Sequence, residues 1–298
     1  MVEDKKFEAS MEDDKANGMG VHARRILAYV VLIFVTIMCL FWFYVLFVNS
    51  TRSNSELKRG FTLIPGTYLI KNLNSLLHNS NLPIFRGLLN SLFVSLCTAG
   101  LSTYFSTMTA FAIHAYDFKL KKFMFTFILA IMMIPTQVTA LGFLNLLRKI
   151  HLMDSFIPLI VPAIAAPAVF FYMKQYMEAN IPLDLMESAR IDGAGEFLIF
   201  NKIAFPLMKP AIAVQAIFSF VTSWNNYFTP ALVLSGEKSK LKRTLPILIA
   251  TLRSADFLKF DMGQVYIFIA MAILPVVIVY IFMAKNIVAG MTVGAVKG

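Results

Sequence analysis

The sequence has few charged residues and few cysteines for its length. Of 298 residues, only 15% are charged and 58% are hydrophobic, whereas about 25% of the residues of a typical soluble domain are charged. So little polar surface excludes both a water-soluble globule and a disordered chain. The two cysteines, Cys39 and Cys97, lie within apolar runs, and we therefore expect neither a disulfide nor a cysteine-based metal site.

The sequence also lacks the common motifs of nucleotide binding and hydrolysis. It contains no GxxxxGK[ST] phosphate-binding loop, because the segment 236–239 (GEKS) has neither the preceding glycine nor the spacing. Neither HExxH nor GxSxG occurs. We therefore expect that this chain is not an enzyme and binds no cofactor or metal itself.

The positive charge is spread along the chain in small groups. The 27 basic and 17 acidic residues give a formal net charge of +10, which would suit either nucleic acid or an anionic membrane surface. A nucleic-acid-binding protein would concentrate its basic residues on one module, but here they lie between long uncharged stretches. The pattern therefore favours a membrane and argues against a nucleic-acid partner.

Six stretches without Asp, Glu, Lys or Arg are long enough to cross the hydrocarbon layer as helices. The predicted spans are 26–48, 155–173 and 262–284, and stretches within 87–116, 123–147 and 210–236. The first is longer than the apolar core of a signal peptide, which predicts a retained anchor. It follows a charged leader, 1–25, that we expect to be flexible.

The orientation of the spans in the membrane must be predicted from a small difference in positive charge between its two sides. The basic residues of the connecting segments are divided almost evenly, so the positive-inside rule favours cytoplasmic termini only slightly. The residues that favour this orientation are Arg24, Arg25, Lys119, Lys121 and Lys122. With an even number of spans, both termini would share the cytoplasmic side of a multi-pass membrane protein.

The spans contain several prolines and almost no ionisable residues. Pro135 in the third span and Pro158, Pro162 and Pro167 in the fourth predict kinks, because each ring removes a backbone donor. The only ionisable residue of the spans is His114, which we expect at the membrane interface. Without a buried carboxylate or histidine relay, transport would take its energy from elsewhere.

Neutral polar residues follow helical stripes in two spans. In the second span, the stripe of small hydroxyl residues is most simply explained by close helix packing: Ser91, Ser95, Thr98, Ser102 and Ser106. In the fifth, amides beside large aromatic rings suit a path for a neutral, hydroxyl-rich solute, although interior amides can equally bond across helices. These candidate pathway residues are Gln215, Ser219, Thr222, Ser223, Trp224, Asn225, Asn226 and Tyr227.

The segment 174–209, between the fourth and fifth spans, is the most informative hydrophilic stretch, with five acidic and four basic side chains. It predicts a helix over 183–189, a turn over 192–195, and a second helix over 196–205. The expected apolar positions are Leu183, Leu185, Met186 and Ala189, then Phe197, Phe200, Ile203 and Ala204. Because two short helices cannot bury both apolar stripes, we expect this module to dock on a partner protein.

This segment carries a family pattern. Glu187-Ser188-Ala189-x-x-Asp192-Gly193-Ala194, followed by Phe200, Ile203, Pro206 and Pro210, resembles the EAA loop of permease subunits in binding-protein-dependent ABC importers. Ser188 replaces the middle alanine of that pattern. Asn90-Ser91, Trp224-Asn225 and the tail 290–298 are similar to the carbohydrate branch, specifically the smaller permease of maltose-type importers.

The resemblance implies an all-α membrane protein of the type I ABC importer permease fold, with six transmembrane helices and a cytoplasmic coupling loop. Its parts would be a cytoplasmic leader 1–25, a permease domain 26–288 containing the EAA loop 174–209, and a cytoplasmic tail 289–298. The residues implied in coupling to the ATPase are Glu187, Ser188, Ala189, Asp192, Gly193, Ala194, Phe200 and Pro206. Gly193 would permit the turn between the coupling helices.

The same resemblance implies partners and leaves alternatives. The partners would be a second permease, ATPase subunits that bind ATP and Mg, an extracytoplasmic solute-binding protein, the carbohydrate substrate and membrane lipid. The segments 49–86 and 238–261 would lie on the outer side, where 245–250 is re-entrant, packed at the pathway mouth, or an ordinary loop. An ABC permease for a non-sugar solute, and an ATP-independent carrier or membrane scaffold, remain as alternatives.

Overall fold

The computed structural model describes residues 2–78, 82–254 and 261–292, and these ranges contain helices but no strand. The α-helices are α1 (Val2–Ser50), α2 (Asn54–Lys58), α3 (Leu69–Leu77), α4 (Ile84–Ala115), α5 (Lys121–Met132), α6 (Thr136–Lys149), α7 (Ile157–Ile160), α8 (Pro167–Asn180), α9 (Asp184–Ile191), α10 (Glu196–Ile199), α11 (Phe205–Leu207), α12 (Lys209–Trp224), α13 (Phe228–Val233), α14 (Leu245–Ser254) and α15 (Met262–Thr292). Turns of 3₁₀-helix cover Val161–Ile164 and Glu237–Lys242, and a π-turn covers Phe200–Ala204.

The described helices are long and apolar enough for four membrane spans, or for up to six if each of two bent pairs counts as one. The four are Gly20–Ser50, Ile84–Ala115, Ile157–Asn180 and Met262–Phe282. The all-α membrane class is thus confirmed, whereas the exact count of six stays a prediction. Helix α1 begins at Val2, so no helix end separates the leader from the predicted span 26–48.

The predicted proline kink is confirmed in the third span, and the helix of the fourth span is interrupted before Pro167. The third is divided at Pro135, where α5 and α6 meet at 97°. The fourth consists of α7, a 3₁₀ turn and α8, with the non-helical residues Ala165 and Ala166 directly before Pro167. Each break places a residue without an amide hydrogen where a straight helix would need a donor.

The chain divides into two compact units. The first unit combines Met1–Ser75 with Asp261–Ala270. The second combines Leu76–Phe260 with Met271–Gly298. In the first unit, the amide of Asn72 donates to the carbonyl oxygens of Ser50 and Arg52, both at 2.9 Å. These bonds hold the end of α1 beside α3.

Helix α4 is the centre of the second unit, where it packs against α7, α8, α12 and α14. Four serines of its predicted stripe are buried, and Thr98 is half-buried. The Ser106 hydroxyl donates to the Ala166 carbonyl at 3.3 Å, and the Ser91 hydroxyl accepts from the Leu245 amide at 2.8 Å. This confirms the packing interpretation of the stripe, because small side chains let the backbones approach closely.

The apolar run 245–250 packs on the start of α4. Asn90 donates from its side-chain amide to the carbonyls of Leu241 at 2.9 Å and Arg243 at 3.0 Å. A Cβ atom at Gly87 would lie 2.4 Å from Leu248 Cδ1, so a larger residue here would require the Leu248 side chain to move. Part of the 238–261 segment, 255–260, and the end of the predicted tail, 293–298, lie outside the described residues.

Candidate functional site

The hydrophilic segment folds as two helices joined by a tight turn. We call Asp184–Leu207 the EAA module: α9, the turn at Gly193, and a second helix composed of α10, the π-turn and α11. Gly193 has φ +80°, a conformation that glycine adopts at little cost. The amide of Ala194 donates to the Ala189 carbonyl at 3.0 Å, which closes the end of α9. The predicted glycine turn is confirmed.

An ion pair crosses this turn. Arg190 Nε donates to Glu196 Oε1 at 2.7 Å, and Arg190 Nη2 lies 3.3 Å from both Glu196 Oε2 and the Ala115 carbonyl oxygen. The guanidinium carbon lies 5.3 Å from the centre of the Tyr116 ring. Hydrogen bonds from Arg190, and then from Tyr116, lower the pKa of the Glu196 carboxyl. The pair thus ties both helices of the module to the end of α4.

Sequence reasoning missed this pair. Arg190 and Glu196 are separated by the turn, so no helical periodicity relates them. Their only sequence signal is opposite charge on the two sides of a predicted glycine turn.

The inner face of the module packs on the core of the second unit. Met186 and Ala189 of α9 are buried, as are Ile199 and Ala204 of the second helix. The ring of Phe200 lies 5.5 Å from the rings of Tyr104 and Phe111, and 5.7 Å from that of Phe205, between ring centres. Such packing of several rings contributes more than buried area alone. Phe200 therefore anchors the module to α4.

The predicted coupling residues divide between the two faces. Exposed residues are Glu187, Ser188, Asp192 and Gly193; half-buried residues are Ala194 and Pro206; buried residues are Ala189 and Phe200. A partner that covers the module would thus contact the first group directly. Of the buried group, Phe200 could act on a partner only by holding the module in place.

The outer face of the module exposes large apolar side chains. Ile191 is 86% exposed and Phe197 is 71% exposed, and Leu185 and Leu198 of the same module are also exposed. Phe197 and Phe200 belong to the same predicted apolar stripe, but within this chain only Phe200 is buried. Helical spacing says which residues share a face but not how far the packing partner extends, and in the first turn of this helix Ile199 is buried whereas Phe197 is exposed. Several large apolar side chains left exposed on one short module indicate an interaction surface.

The second candidate set lies on α12 and the residues after it. The buried side of α12, which faces α4, consists of Ala211, Val214, Ile217, Phe220 and Trp224. Trp224 stacks on Phe220, with ring centres 5.6 Å apart, and its Nε1 donates to the Ala272 carbonyl at 3.0 Å. Trp224 therefore fixes the end of α12 to α15.

The other predicted pathway residues are less buried. Thr222, Asn225 and Tyr227 are exposed, and Gln215, Ser219, Ser223 and Asn226 are half-buried. Gln215, Ser219 and Thr222 share one face of α12, away from the buried stripe, since they follow one another at helical spacing. The Asn226 side-chain oxygen accepts from the Thr229 amide at 3.3 Å, so part of its hydrogen-bonding capacity is used locally.

Two further observations concern ionisable groups. His114 Nε2 lies 3.1 Å from the carbonyl oxygen of Ile181, at the end of α8. Among the residues that the structure describes, no group of three or more His, Cys, Asp or Glu could hold a metal ion.

Comparison with known proteins supplies the family. Residues 102–293 match the family described as "Binding-protein-dependent transport system inner membrane component". The arabinooligosaccharides transport system permease protein AraQ of Bacillus subtilis (strain 168) is 37% identical over 269 residues, covering 88% of this chain and 92% of that protein. The lactose transport system permease protein LacG of Rhizobium radiobacter is 28% identical, covering 91% of this chain and 96% of that protein.

A solved structure has the same fold. A chain of a bacterial ABC transporter involved in the import of the acidic polysaccharide alginate aligns with a TM-score of 0.75 and 22% identity. The alignment covers 87% of this chain and 95% of that chain. At this level of identity the similarity shows the fold alone. The expected type I ABC importer permease fold is confirmed.

Proposed function

Since this chain belongs to the binding-protein-dependent transport system inner membrane components, we propose that it is a permease subunit of an ATP-driven importer of sugars or oligosaccharides. The observation that carries the sugar assignment is the 37% identity to an arabinooligosaccharide permease over 88% of the chain. The similarity to a lactose permease supports the same class of solute. The protein would lie in the cell membrane with both termini in the cytoplasm.

A separate ATPase supplies the energy in this proposal. The chain has no phosphate-binding loop, and its predicted spans carry no carboxylate that could couple transport to an ion gradient. ATP and Mg would therefore bind to partner ATPase subunits. We expect two of them, one for each member of a pair of permeases.

The outer face of the EAA module is the proposed docking surface for the ATPase. Ile191 and Phe197 project from it, with the carboxylates of Glu187 and Asp192 on the same module. An exposed apolar face on a short helix suits a groove on a partner protein. Burial of such side chains would provide the affinity, and the carboxylates would provide orientation.

The inner face of the module would transmit the motion of the ATPase. Phe200 and the Arg190–Glu196 pair hold the module on α4, and α4 packs along α8 and α12. A displacement of the module would therefore reach three helices of the second unit together. The bends of 97° after α5 and 80° before α12 are the positions where such helices can change direction.

The sugar would pass along the polar face of α12 after delivery by an extracytoplasmic binding protein. Gln215, Ser219 and Thr222 offer amide and hydroxyl groups along this face, and Asn225 and Tyr227 follow at its end. Amides hydrogen-bond to sugar hydroxyls, and aromatic rings cover the C–H faces of a pyranose. Trp224 would act by holding this end of α12 against α15.

Substitutions at two neighbouring residues distinguish a residue that contacts the sugar from one that holds α12 in place. Asn225→Ala should lower uptake of the sugar while leaving thermal stability unchanged, because the side chain is exposed. Trp224→Ala should lower stability by about 3–5 kcal/mol, because it empties a buried aromatic site. Uptake by whole cells and thermal unfolding of the purified protein measure the two effects. Normal uptake by the Asn225 variant would contradict the proposed path.

Co-purification tests the function as a whole. The tagged chain, solubilised in a mild detergent, should retain both a second permease and an ATPase subunit that hydrolyses ATP. A tagged, unrelated six-span carrier expressed in the same cells is the control for adventitious capture. Recovery of the chain without an ATPase would refute the assignment to an ABC importer.

A further inference from the structure

A basic cavity of about 570 Å³ lies beside the EAA module and has no role in the proposed transport path. It is formed by the connection between α4 and α5, the first turns of α5, and α8. Its charged lining residues are Lys119, Lys121, Lys122 and Lys174, with Asp117 and Glu178. Four ammonium groups against two carboxylates make the cavity electropositive, which favours an anionic ligand.

Two of the four lysines are already used by the protein. The ammonium group of Lys174 pairs with Glu178 and lies 4.6 Å from the centre of the Phe125 ring. Lys121 Nζ donates to the Tyr116 carbonyl oxygen at 2.9 Å. These contacts fix part of the wall of the cavity.

The other two lysines are available to a ligand. Lys119 and Lys122 are exposed, and within the described residues no hydrogen bond or ion pair is found for either ammonium group. Both line the same cavity. An anion placed between them would receive two charge-assisted hydrogen bonds without displacing any contact of the protein.

The surroundings of the cavity select the kind of anion. One wall is apolar and contains Ile113 and Phe125. Helix α5 continues from the two lysines with the exposed side chains of Phe123, Phe127 and Ile131. A cluster of lysines directly before an exposed apolar helix surface is typical of the boundary between headgroups and hydrocarbon.

We propose that this cavity binds the phosphate of an anionic phospholipid, with Lys119 and Lys122 as its ligands and the acyl chains along α5. The assignment to lipid rests on the proposed function, which places the EAA module and therefore this cavity on the cytoplasmic side. The cytoplasmic leaflet supplies anionic headgroups, and basic pockets between membrane helices on that side bind them. A volume of several hundred Å³ is sufficient for a headgroup.

Lipid binding by the purified complex tests this site. The complex is delipidated, titrated with either phosphatidylglycerol or phosphatidylcholine, and the bound lipid is counted by native mass spectrometry. Phosphatidylglycerol should bind more tightly, and the double variant Lys119→Gln with Lys122→Gln should weaken its binding at least about fivefold. Equal binding of the two lipids to the unmodified complex would overturn the proposal.

A matched double variant separates a specific site from general electrostatics. Lys238→Gln with Lys240→Gln removes the same charge from two exposed lysines elsewhere, and should leave phosphatidylglycerol binding unchanged. An equal loss in both double variants would overturn the proposal. Soluble glycerol phosphate serves as the competitor: failure to displace the lipid at equal concentration supports the lipid, and displacement would instead assign the cavity to a free phosphate ester.

Failure of the lipid proposal and failure of the proposed function give different results. If no ATPase co-purifies, the proposed function fails, yet lipid binding can still be measured on the full chain alone. If the ATPase is retained but phosphatidylglycerol shows no preference for the site, only the lipid proposal fails.

Discussion

Replacing Phe200 with alanine should destabilise the protein by about 3–5 kcal/mol, the usual cost of removing a buried aromatic ring. The ring is 2% exposed and contacts three other aromatic rings between the module and α4. The cavity left behind would loosen the module from the helix that it is proposed to move. Thermal or denaturant unfolding of the purified protein measures the loss of stability. The ATPase activity of the assembled complex measures the loosening of the module.

Phe197 provides the matched control for this substitution. It is the same residue type in the same short helix, three positions earlier, but it is 71% exposed. Phe197→Ala should change stability by less than about 0.5 kcal/mol, as surface substitutions usually do. It should instead reduce the amount of ATPase retained on purification. Equal stability losses in the two variants would contradict the division of the module into an inner and an outer face.

Replacing Gly193 with valine should reduce sugar uptake by about tenfold or more without preventing membrane insertion. At φ +80° a β-branched residue meets a strain of about 1–3 kcal/mol. The turn can relieve that strain only by changing the angle between α9 and the second helix. If this strain is lost from the coupling free energy between the ATPase and the permease, the coupled equilibrium changes by about 5-fold to 150-fold. Uptake by whole cells and the protein content of the membrane fraction are the two measurements.

Gly195 is the control for the turn. A Cβ atom would meet nothing within 4 Å at either glycine, but Gly195 has an ordinary extended conformation with φ −71°. Gly195→Val should therefore leave uptake close to that of the unmodified protein. If both variants lose uptake, bulk on the outer face rather than backbone conformation is responsible, and the argument from the positive φ fails.

Local chemistry in the sequence was sufficient to predict much of the fold. The absence of charge from long stretches indicates membrane helices, because a charged side chain in hydrocarbon is costly wherever the helix lies. Proline removes a donor in any helix, so the break at Pro135 could be predicted without a structure. The glycine turn at Gly193 follows in the same way from backbone sterics, and the residues around it carry the family pattern.

The division of the candidate sites into contacting and supporting residues could not be predicted in this way. Phe197 and Phe200 have the same chemistry and suitable helical spacing, yet only Phe200 reaches the rings on α4. Trp224 and Asn225 are adjacent, but Trp224 alone meets a carbonyl on α15. Whether a residue has a neighbour depends on elements distant in sequence.

Membrane residence, the helical class, the proline breaks and the glycine turn were thus determined by the sequence alone, because each follows from the chemistry of one residue or one short stretch. Tertiary structure decided which face of the EAA module is covered, that Arg190 meets both Glu196 and the end of α4, and that Lys119 and Lys122 line one cavity. These arrangements depend on how separate helices pack, and no local pattern specifies the distance between groups on different helices.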